Sequence, residues 1–326
     1  MNLSADMLIV GAGPVGLYGA YYAGFRGFST IVCDTLPEIG GQISAMYPEK
    51  LIFDVAGFPE IRGRDLVAAL AEQAGEYEPT YVLGEQAVDL AETDEGLRVT
   101  TTDGTTIDAK AMIITGGIGA FRPRPLPAAE NFAGDGIVFF VPQLDVHAGK
   151  DIVIVGGGDS AFDWALSLHP IAKSVTLVHR RDAFRAHAGT VDRVRDLGVR
   201  LMTSCEVTEI EGYDQVSGVV ITHKDTGDVS RVPADTVVAA LGFIASIGPV
   251  ADWGLDLEKR RILVDSTMRT NNPRVYAAGD IVAYTGKVPL ISVGFGEVAL
   301  AVNNAAPLID PTHGIFPGHS SGETSE

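Results

Sequence analysis

In this chain a strand, a glycine turn and a helix occur in the same order twice, and few folds accommodate such a repeat. In the first copy, apolar Met7–Val10 leads into Gly11-Ala-Gly-Pro-Val-Gly16. In the second, apolar Ile152–Val155 leads into Gly156-Gly-Gly-Asp-Ser-Ala161. A helical stretch and a second strand-like stretch follow each turn, which is the pattern of a dinucleotide-binding βαβ unit. The repeat predicts an α/β protein with two Rossmann-like domains of the three-layer ββα kind.

The small residues of these turns each have a physical reason. The first glycine allows the tight turn, the second lets a pyrophosphate approach the backbone, and a small third residue lets helix and strand pack closely. The pyrophosphate then accepts hydrogen bonds from free N–H groups at the positive end of the helix. The residues assigned to this role are Gly11, Gly13 and Gly16 in the first turn and Gly156, Gly158 and Ser160 in the second.

The residue that closes the second strand distinguishes the two sites. Asp34 in the first copy and His179 in the second stand the same number of residues after the first glycine. A carboxylate at this place accepts hydrogen bonds from ribose hydroxyls and repels a 2′-phosphate. Arg180 and Arg181 follow His179, with Arg185 expected one helical turn further on, and guanidinium groups bind a 2′-phosphate through charge-assisted hydrogen bonds. The first site therefore favours a dinucleotide without a 2′-phosphate, and the second favours NADP(H).

Three further arginines of the same stretch, Arg193, Arg195 and Arg200, have a simpler interpretation. We expect them on a solvated helix, where they form ion pairs with neighbouring carboxylates. They are not assigned to the nucleotide site.

Composition restricts the class of partner and the compartment. The 326 residues allow two domains of ordinary size, and a formal net charge of −18 argues against nucleic acid or an anionic membrane as a partner. The first charged residue is Asp6, so we do not expect a signal peptide. The uncharged run Met7–Phe25 is interrupted by the glycines of the first turn, and no other stretch approaches spanning length. We expect a soluble, cytoplasmic protein.

The chain has two cysteines, Cys33 and Cys205, and no Cys-x-x-Cys. Neither a disulfide framework, nor a dithiol relay, nor a thiolate metal site is therefore encoded, and no metal is expected. Both cysteines stand in apolar or strand-like surroundings, which favours buried, inert thiols.

The second nucleotide unit lies inside the first in the sequence. One strand-like segment, Ala111–Thr115, ends in Gly116-Gly-Ile-Gly119, and another, Val237–Leu241, ends in Gly242. The complete second unit lies between these two crossings, which are expected to form a hinge because glycine absorbs large changes in φ and ψ. The predicted boundaries are 1–117 and 245–326 for the first domain and 118–244 for the second.

The last part of the chain is expected to return to the first domain. Strand-like Val275–Ala278 is followed by Gly279-Asp280, and an apolar stretch from Val288 to Ala306 is expected to form a helix that begins around Gly294. The positive N-terminal end of that helix suits a negative charge on a reduced flavin. An ordinary core helix with a glycine-rich start explains the pattern equally well.

Taken together, these motifs resemble those of the thioredoxin reductase family, whose members have an FAD domain interrupted by an NADPH domain and are usually homodimeric. The matching segments include the two glycine turns, Gly40-Gly-Gln42, His179-Arg-Arg-Asp182 and Ala277-Ala-Gly-Asp280. Active members of that family carry a Cys-x-x-Cys shortly before the second unit, where this chain has Phe139-Phe-Val-Pro142. Dithiol–disulfide chemistry is therefore excluded.

The chain more closely resembles the thioredoxin reductase-like, or type 2, ferredoxin–NADP reductases, over residues from about 5 to 322. The resemblance rests on Gln42-Ile-Ser-Ala-Met-Tyr-Pro-Glu-Lys50, Asp54-Val-Ala-Gly-Phe-Pro59, Phe139-Phe-Val-Pro142, Gly294-Phe-Gly-Glu297 and Pro317-Gly-His-Ser-Ser321. It implies a homodimeric oxidoreductase with FAD in the first domain and NADP(H) in the second. Such an enzyme passes a hydride from NADPH to flavin N5 and then single electrons to ferredoxin or flavodoxin.

The resemblance also implies roles for single residues around FAD. Asp34 would hold the ribose, Gln42 the flavin side and Asp280 the ribityl–pyrophosphate part, and the backbone around Val88 would meet the adenine. Four aromatic or tail residues would surround the flavin: Tyr47 stacked on one face, His319 of the partner subunit on the other, Ser321 at the edge and Phe121 at the hinge. Asp54 either relays protons or caps a helix, and no catalytic residue is assigned.

Two other functions use the same motifs. An NAD(P)H:quinone or flavin oxidoreductase on this scaffold differs only in its acceptor, and the Tyr47 block and the His319 tail favour ferredoxin over it. A non-catalytic NADP(H) sensor would be favoured by loss of the hinge glycines or of the flavin site, and both are present in the sequence.

Overall fold

The computed structural model describes residues 1–318, and of Ala120, Phe121 and Ala245 it describes the backbone only. The chain forms two compact units. Unit 1 contains Met1–Ala45, Leu51–Ala120 and the described residues from Ala245 on, and unit 2 contains Met46–Lys50 and Phe121–Ile244. The sequence did not indicate that the short segment Met46–Lys50 packs with unit 2.

The first part of the chain supplies eight strands and three helices. The strands are β1 (Asn2–Val10), β2 (Thr30–Asp34), β3 (Leu51–Ile52), β4 (Ile61–Arg62), β5 (Thr80–Leu83), β6 (Ala87–Glu92), β7 (Leu97–Thr101) and β8 (Thr106–Ile114). The helices are α1 (Pro14–Phe25), α2 (Gln42–Met46) and α3 (Gly63–Gly75).

The middle of the chain forms unit 2 together with the strands at its two crossings. The strands are β9 (Ala120–Pro123), β10 (Ile137–Val138), β11 (Asp151–Val155), β12 (Ser174–Val178), β13 (Arg200–Met202), β14 (Cys205–Gly212), β15 (Val216–His223), β16 (Val229–Pro233), β17 (Thr236–Ala239) and β18 (Phe243–Ser246). The helices are α4 (Asp159–Leu168) and α5 (Ala188–Asp196), with single 3₁₀ turns at Pro127–Ala129 and Asp145–His147.

The last part of the chain returns to unit 1. It contains the strands β19 (Leu257–Glu258), β20 (Arg261–Leu263), β21 (Val275–Ala277) and β22 (Val282–Ala283), the 3₁₀ turns Gly248–Asp252 and Gly279–Ile281, and the helix α6 (Ile291–Ile309). No helix within residues 1–318 is both long and apolar enough to cross a membrane.

The sheet of unit 1 has the strand order β5-β2-β1-β8-β7-β6, with β21 also paired to β8. The strands β5, β2, β1, β8 and β21 run parallel, whereas β7 and β6 form an antiparallel extension. The chain leaves β1 for β2 on one side and reaches β8 on the other, so the carboxyl end of β1 lies at a topological switch point. Ligands of open α/β sheets bind at such points.

Unit 2 repeats this architecture with a separate second sheet. Its parallel sheet has the order β10-β17-β11-β12-β13, and β14-β15-β16 form an antiparallel meander. The parallel strand β11 is buried over four of its five residues, which is why it reads as an uninterrupted apolar run in the sequence. Phe162 and Leu168 of α4 pack on one face of this sheet, and Val207 and Val219 of the meander pack on the other.

Helices α1 and α6 pack closely against each other and against one face of the first sheet. Small residues permit this approach, because a Cβ on Gly19 would lie 2.7 Å from Cγ2 of Val298. Their N-terminal ends therefore lie together at the carboxyl edge of the sheet. The predicted helix at Val288–Ala306 is present as Ile291–Ile309, and its first turn precedes Gly294.

Candidate dinucleotide-binding sites

The first glycine turn of unit 1 is closed so tightly that a side chain would not fit. Gly11 has φ +121°, and a Cβ on it would lie 2.6 Å from the carbonyl carbon of Thr115. A Cβ on Gly16 would overlap the carbonyl oxygen of Gly11 and lie 2.8 Å from Oγ1 of Thr115. That hydroxyl donates to the Gly11 oxygen over 2.8 Å and fixes the turn against the end of β8. The turn thus presents bare backbone at the start of α1.

This geometry predicts unequal effects of exchanging glycine and alanine at the third position of the two turns. We expect Gly16→Ala to destabilise unit 1 by about 2 to 3 kcal/mol, since the methyl group meets backbone that cannot move aside. The reverse change at the equivalent place of unit 2, Ala161→Gly, costs about 1 kcal/mol of helix propensity. Thermal unfolding and bound-flavin content of both variants would check this, and equal losses would contradict it.

Asp34 lies at the end of β2, directly beside this turn. Its Oδ2 accepts the backbone N–H of Ala12 over 2.6 Å, and its Oδ1 accepts that of Leu36 over 2.8 Å. Burial raises the pKa of the Asp34 carboxyl, and these two hydrogen bonds act in the opposite direction. Each carboxylate oxygen retains a lone pair for a further donor. The side chain is therefore oriented and has acceptor capacity left for a ribose hydroxyl.

The backbone at Val88 lies next to Asp34 along the sheet edge. The segment is joined to Asp34 by Glu85, whose N–H donates to the Asp34 carbonyl over 3.1 Å. Val88 stands in a β-bulge between Ala87 and Asp89, outside the regular ladder with β7. Its carbonyl accepts the indole N–H of Trp253 over 3.1 Å. Bulges present backbone groups that the ladder does not use, which fits contact with an adenine edge.

Gln42 opens α2 and reaches the other side of the turn. A Cβ on Gly117 would lie 2.9 Å from Nε2 of Gln42, so the amide rests on the backbone that leaves β8. The preceding loop approaches the first turn, because a Cβ on Gly41 (φ +57°) would lie 2.9 Å from Cα of Gly13. Gln42 and Gly13 thus belong to one cleft lined by backbone.

Asp280 follows the end of β21, in the 3₁₀ turn Gly279–Ile281. A Cβ on Gly279 would contact Val15 of α1 at 3.4 Å, and one on Gly294 of α6 would lie 3.4 Å from Cα of Gly279. Burial raises the pKa of the Asp280 carboxyl, and the positive charges of Lys287 and Arg261 act against this rise. The turn is held between the N-terminal ends of two helices, where a pyrophosphate and a flavin ring edge would be stabilised.

A buried charged cluster supports this turn, and no sequence motif had assigned a role to its members. The side chains of Glu297 of α6 and of Lys287 are each 4% exposed, and the Lys287 Nζ lies 2.6 and 2.8 Å from the two carboxylate oxygens. Glu297 also accepts the Tyr284 hydroxyl over 2.6 Å and the N–H of Gly279 over 2.7 Å. Burial, and secondly Glu297, raise the pKa of Tyr284 to about 12. A single charged residue in an otherwise uncharged helix was the available signal, because such a charge needs a partner.

The glycine turn of unit 2 is built in the same way and contacts His179. A Cβ on Gly156 would lie 2.5 Å from the carbonyl oxygen of Ala240, and one on Gly157 would overlap the imidazole of His179. Burial lowers the pKa of His179, a hydrogen bond with the backbone of Ala183 opposes this, and the nearby arginines lower it further. Its Nε2 is buried without a hydrogen-bond partner among the described residues.

The three arginines assigned to the 2′-phosphate surround this turn. Arg180, Arg181 and Arg185 are exposed, and none forms an ion pair with a described carboxylate. Arg185 is brought to the turn by its backbone, whose N–H donates to the carbonyl of Gly157 over 2.8 Å. Ser160 is exposed in the first turn of α4, next to the N-cap residue Gly158. Three unpaired guanidinium groups therefore lie where β12 ends.

Two positional expectations for the arginines were wrong. Arg185 is not on a helix, because α5 begins only at Ala188, and the chain before it follows the glycine turn. Arg200 lies on the edge strand β13 and not on a solvated helix. Arg195 does form the expected intrahelical ion pair, 3.4 Å from Asp192, at the end of α5.

The remaining assigned residues lie elsewhere or outside the described part. Tyr47 packs within unit 2 against the core that contains Phe162, and its neighbour Lys50 forms an ion pair of 2.5 Å with Asp163 of α4. Asp54 is exposed in the loop between β3 and β4 and does not cap a helix; its carbonyl accepts the Ser292 hydroxyl. The side chain of Phe121, and His319 and Ser321 entirely, lie outside the described residues.

The cysteines offer no reactive thiolate. Cys33 and Cys205 are buried and not bonded to each other, and burial raises the pKa of Cys33 to about 12. The position equivalent to a Cys-x-x-Cys is apolar, with Val141 fully buried. Within residues 1–318 no group of three or more His, Cys, Asp or Glu side chains is placed to hold a metal ion.

Comparison with known proteins gives a consistent result. A family model described as pyridine nucleotide-disulphide oxidoreductase matches residues 5–305. A ferredoxin–NADP reductase of Frankia alni is 59% identical over 98% of this chain and 99% of that protein. Proteins of the same name from Saccharopolyspora erythraea and Thermus thermophilus are 60% and 46% identical, over 97% of this chain and 97% and 96% of those proteins.

Solved structures with the same fold include two thioredoxin reductases. That of T. acidophilum is 28% identical with a TM-score of 0.78, over 95% of this chain and 99% of that chain. That of Lactococcus lactis is 26% identical with a TM-score of 0.77, over 94% of this chain and 99% of that chain. These similarities confirm the predicted fold class of an α/β protein with two Rossmann-like domains.

Proposed function

The chain belongs to the pyridine nucleotide-disulphide oxidoreductase family, and from this premise we propose that it is an FAD-dependent reductase that moves electrons between NADPH and ferredoxin or flavodoxin. The relatives that match nearly the whole chain carry the name ferredoxin–NADP reductase. The match over nearly the full length of both chains, together with the two glycine turns, supports FAD and NADP(H) as the cofactors of this protein. Unit 1 is proposed as the FAD domain and unit 2 as the NADPH domain.

The residues of unit 1 fit FAD. The turn at Gly11–Gly16 presents backbone where a Cβ would clash, and the free N–H groups at the start of α1 face that turn. Asp34 would accept from the adenosine ribose, and its charge disfavours a 2′-phosphate. Asp280 and Gln42 lie at the same edge and would contact the ribityl and flavin parts. Val88 would meet the adenine through its backbone.

The residues of unit 2 fit NADPH. Its glycine turn is equally bare, and Arg180, Arg181 and Arg185 provide the positive charge that a 2′-phosphate requires. The imidazole of His179 lies against the same turn, and its Nε2 has no hydrogen-bond partner among the described residues. NADPH and NADH differ only in the 2′-phosphate. Because the arginines would bind that phosphate, the site selects NADPH over NADH.

The protein's own contribution is positioning and electrostatics. FAD held in unit 1 would supply two-electron acceptance from NADPH and one-electron release, which is chemistry of the cofactor itself. The N-terminal end of α6, close to Gly279, places a positive dipole end where negative charge has to be stabilised. The two cysteines are buried and not bonded to each other, so they supply no thiolate for a disulfide relay, and electrons would leave the flavin directly for an external acceptor.

The observation that carries this proposal is the contrast between Asp34 beside one glycine turn and, beside the other, three arginines that pair with no described carboxylate. The test is an anaerobic titration of the purified yellow protein with NADPH and NADH, followed by oxidised ferredoxin. We expect NADPH to bleach the flavin at far lower concentration than NADH, and ferredoxin to restore the colour. Colourless protein that cannot be reconstituted with FAD would contradict the proposal, and reoxidation by a quinone alone would favour the quinone reductase.

A homodimer is part of the proposal, and the C-terminal segment supports it. The buried guanidinium of Arg26 donates to the carbonyl of Gly314 over 2.7 Å, to that of Ile315 over 3.2 Å, and to the side chain of Asn303. Arg26 follows the C-terminal end of α1, opposite to the glycine turn, so the described tail leaves unit 1 away from its own FAD site. Ile315 and Phe316 are 56% and 69% exposed, which suits burial against a second copy.

In this arrangement His319 and Ser321 would act at the flavin of the partner subunit. Light scattering during gel filtration would give the oligomeric state, and deletion of residues 319–326 is expected to leave the dimer intact while exposing the flavin to solvent quenchers. A monomeric wild-type protein would contradict the proposed dimer.

A cytoplasmic location is also proposed, because NADPH is a cofactor held inside cells.

A further inference from the structure

Two segments of unit 2 are joined side by side where β12 ends. One is the segment 179–182, which carries two of the arginines assigned to the 2′-phosphate, and the other is the corner 202–205, which joins β13 to β14. The N–H of His179 donates to the carbonyl of Met202 over 2.8 Å, and the N–H of Cys205 donates to the carbonyl of His179 over 3.0 Å. The corner therefore fixes the backbone from which the two arginines project.

Ser204, inside this corner, has an unfavourable backbone conformation. Its φ is +48°, in the left-handed region that residues with a Cβ rarely adopt. The residue is only 7% exposed, so its hydroxyl group needs a hydrogen-bond partner within the protein. Strain of this kind persists where the surrounding contacts hold a residue in place, and it is frequent at binding sites. Glycine would adopt the same conformation without strain, but it would lack the hydroxyl group.

The contacts of Ser204 lead directly to the arginine segment. Its Oγ donates to Oδ1 of Asp182 over 2.6 Å, and its N–H donates to the carbonyl of Arg181 over 3.4 Å. On its other side, the carbonyl of Ser204 accepts the N–H of Lys224 over 2.7 Å, which anchors the corner to the chain after β15. Ser204 thus connects the anchored corner to the segment 179–182 through both its side chain and its backbone.

Asp182 is a carboxylate that would compete with a phosphate if it were not held. It follows Arg181 in the chain and is exposed, so it has room to turn. A carboxylate paired with a guanidinium group would occupy the donors that a 2′-phosphate requires. Asp182 forms no ion pair with a described cation, and its Oδ1 accepts the Ser204 hydroxyl instead. This hydrogen bond leaves the positive charge of the arginines available to a ligand.

We propose that Ser204 is a positioning residue for the 2′-phosphate site, an inference that rests on the function proposed above. Its hydroxyl group holds the Asp182 carboxylate, so that Arg180 and Arg181 remain free to bind the phosphate. NADH has no phosphate at this place, so loss of the hydroxyl group should weaken the binding of NADPH and leave that of NADH almost unchanged. The ratio of the two KM values separates this role from a structural one, because general damage to unit 2 would raise both.

The first test compares Ser204→Ala with Ser204→Gly by steady-state kinetics with an uncharged quinone as the electron acceptor. Both variants lack the hydroxyl group, and each should raise the KM for NADPH about 3- to 10-fold while the KM for NADH changes less than about twofold. Only glycine relieves the strain at this backbone position, so the Tm of Ser204→Gly should lie about 2 to 4 °C above that of Ser204→Ala. The same KM for NADPH in two variants of different stability would support the positioning role.

The second test is a double-mutant cycle with Asp182→Ala. In that background Ser204→Ala should no longer raise the KM for NADPH, because no carboxylate is left to pair with the arginines. The matched control is Ser174→Ala. It removes a hydrogen bond of the same length, 2.6 Å from Ser174 Oγ to Asp151 Oδ1, at the opposite end of β12, and it should change neither KM.

The possible failures are distinguishable. Equal increases in the KM values for NADPH and NADH would overturn the inference alone, as would an effect of Ser204→Ala that persists without Asp182. A wild-type protein that does not discriminate between NADPH and NADH would overturn the proposed function, and the inference with it.

Discussion

Replacing Arg180 and Arg181 together by glutamine is expected to raise the KM for NADPH by about 10²- to 10⁴-fold. Hydrogen bonds between charged partners contribute about 1.5 to 3 kcal/mol each, and glutamine retains the approximate length of the side chain without its charge. The KM for NADH should change less than about threefold, since NADH has no phosphate at this position. Steady-state kinetics with a small electron acceptor would measure both constants.

The control for this prediction lies on the same stretch of chain. Arg193→Gln with Arg195→Gln removes the same charge from α5, where Arg195 pairs with Asp192. It should leave the KM for NADPH near the wild-type value. If the KM values for NADPH and NADH rose equally in the Arg180 and Arg181 variant, the two arginines would be holding the fold of the turn and not the 2′-phosphate.

The nucleotide turns could be predicted from the sequence because their causes are local. A strand, a glycine that meets the backbone of the next strand, and a helix start are all encoded within a few residues, and Asp34 follows at the end of the adjacent strand. The assignment of Arg180 and Arg181 needed only their position after β12. The fold class follows from the repetition of this unit.

Features that depend on distant contacts were not predictable in the same way. Arg185 was expected on a helix, but its N–H donates to the carbonyl of Gly157, and the residue lies in irregular chain before α5. The association of Tyr47 with unit 2 depends on the core around Phe162 and on the pair between Lys50 and Asp163, which are more than a hundred residues apart. No spacing in the sequence indicates such a pair.

The buried charged cluster around Glu297 is a second feature that could be predicted only in part from the sequence. The hydrophobic pattern of α6 indicates a helix, and its single glutamate indicates that a partner exists. The sequence does not identify that partner, because Lys287 and Tyr284 lie in the loop before the helix. Glu297 also accepts the backbone N–H of Gly279. Because every residue other than proline has such an N–H group, the sequence does not indicate this contact. These contacts connect the stability of unit 1 to the geometry of its proposed FAD site.

Replacing Glu297 by leucine is accordingly expected to destabilise the protein strongly. The change leaves the ammonium group of Lys287 buried and unpaired, which costs about 3 to 5 kcal/mol. The Tm should fall by about 6 to 20 °C, given the usual relation between free energy and Tm for domains of this size. Thermal unfolding measured by circular dichroism and by release of flavin fluorescence would give both the stability and the retention of FAD.

A double variant separates the two roles of this carboxylate. Glu297→Leu with Lys287→Met removes both charges and should recover most of the lost stability, because a buried ion pair is often no better than apolar residues of similar volume. The N–H of Gly279 would still lack its acceptor, so the turn that contains Asp280 would be less well fixed. We therefore expect a near-normal Tm of the apoprotein with an FAD Kd raised about 5- to 50-fold. Wild-type FAD affinity in this variant would show that Glu297 stabilises unit 1 without positioning the turn, whereas weak binding at restored stability would identify it as a positioning residue.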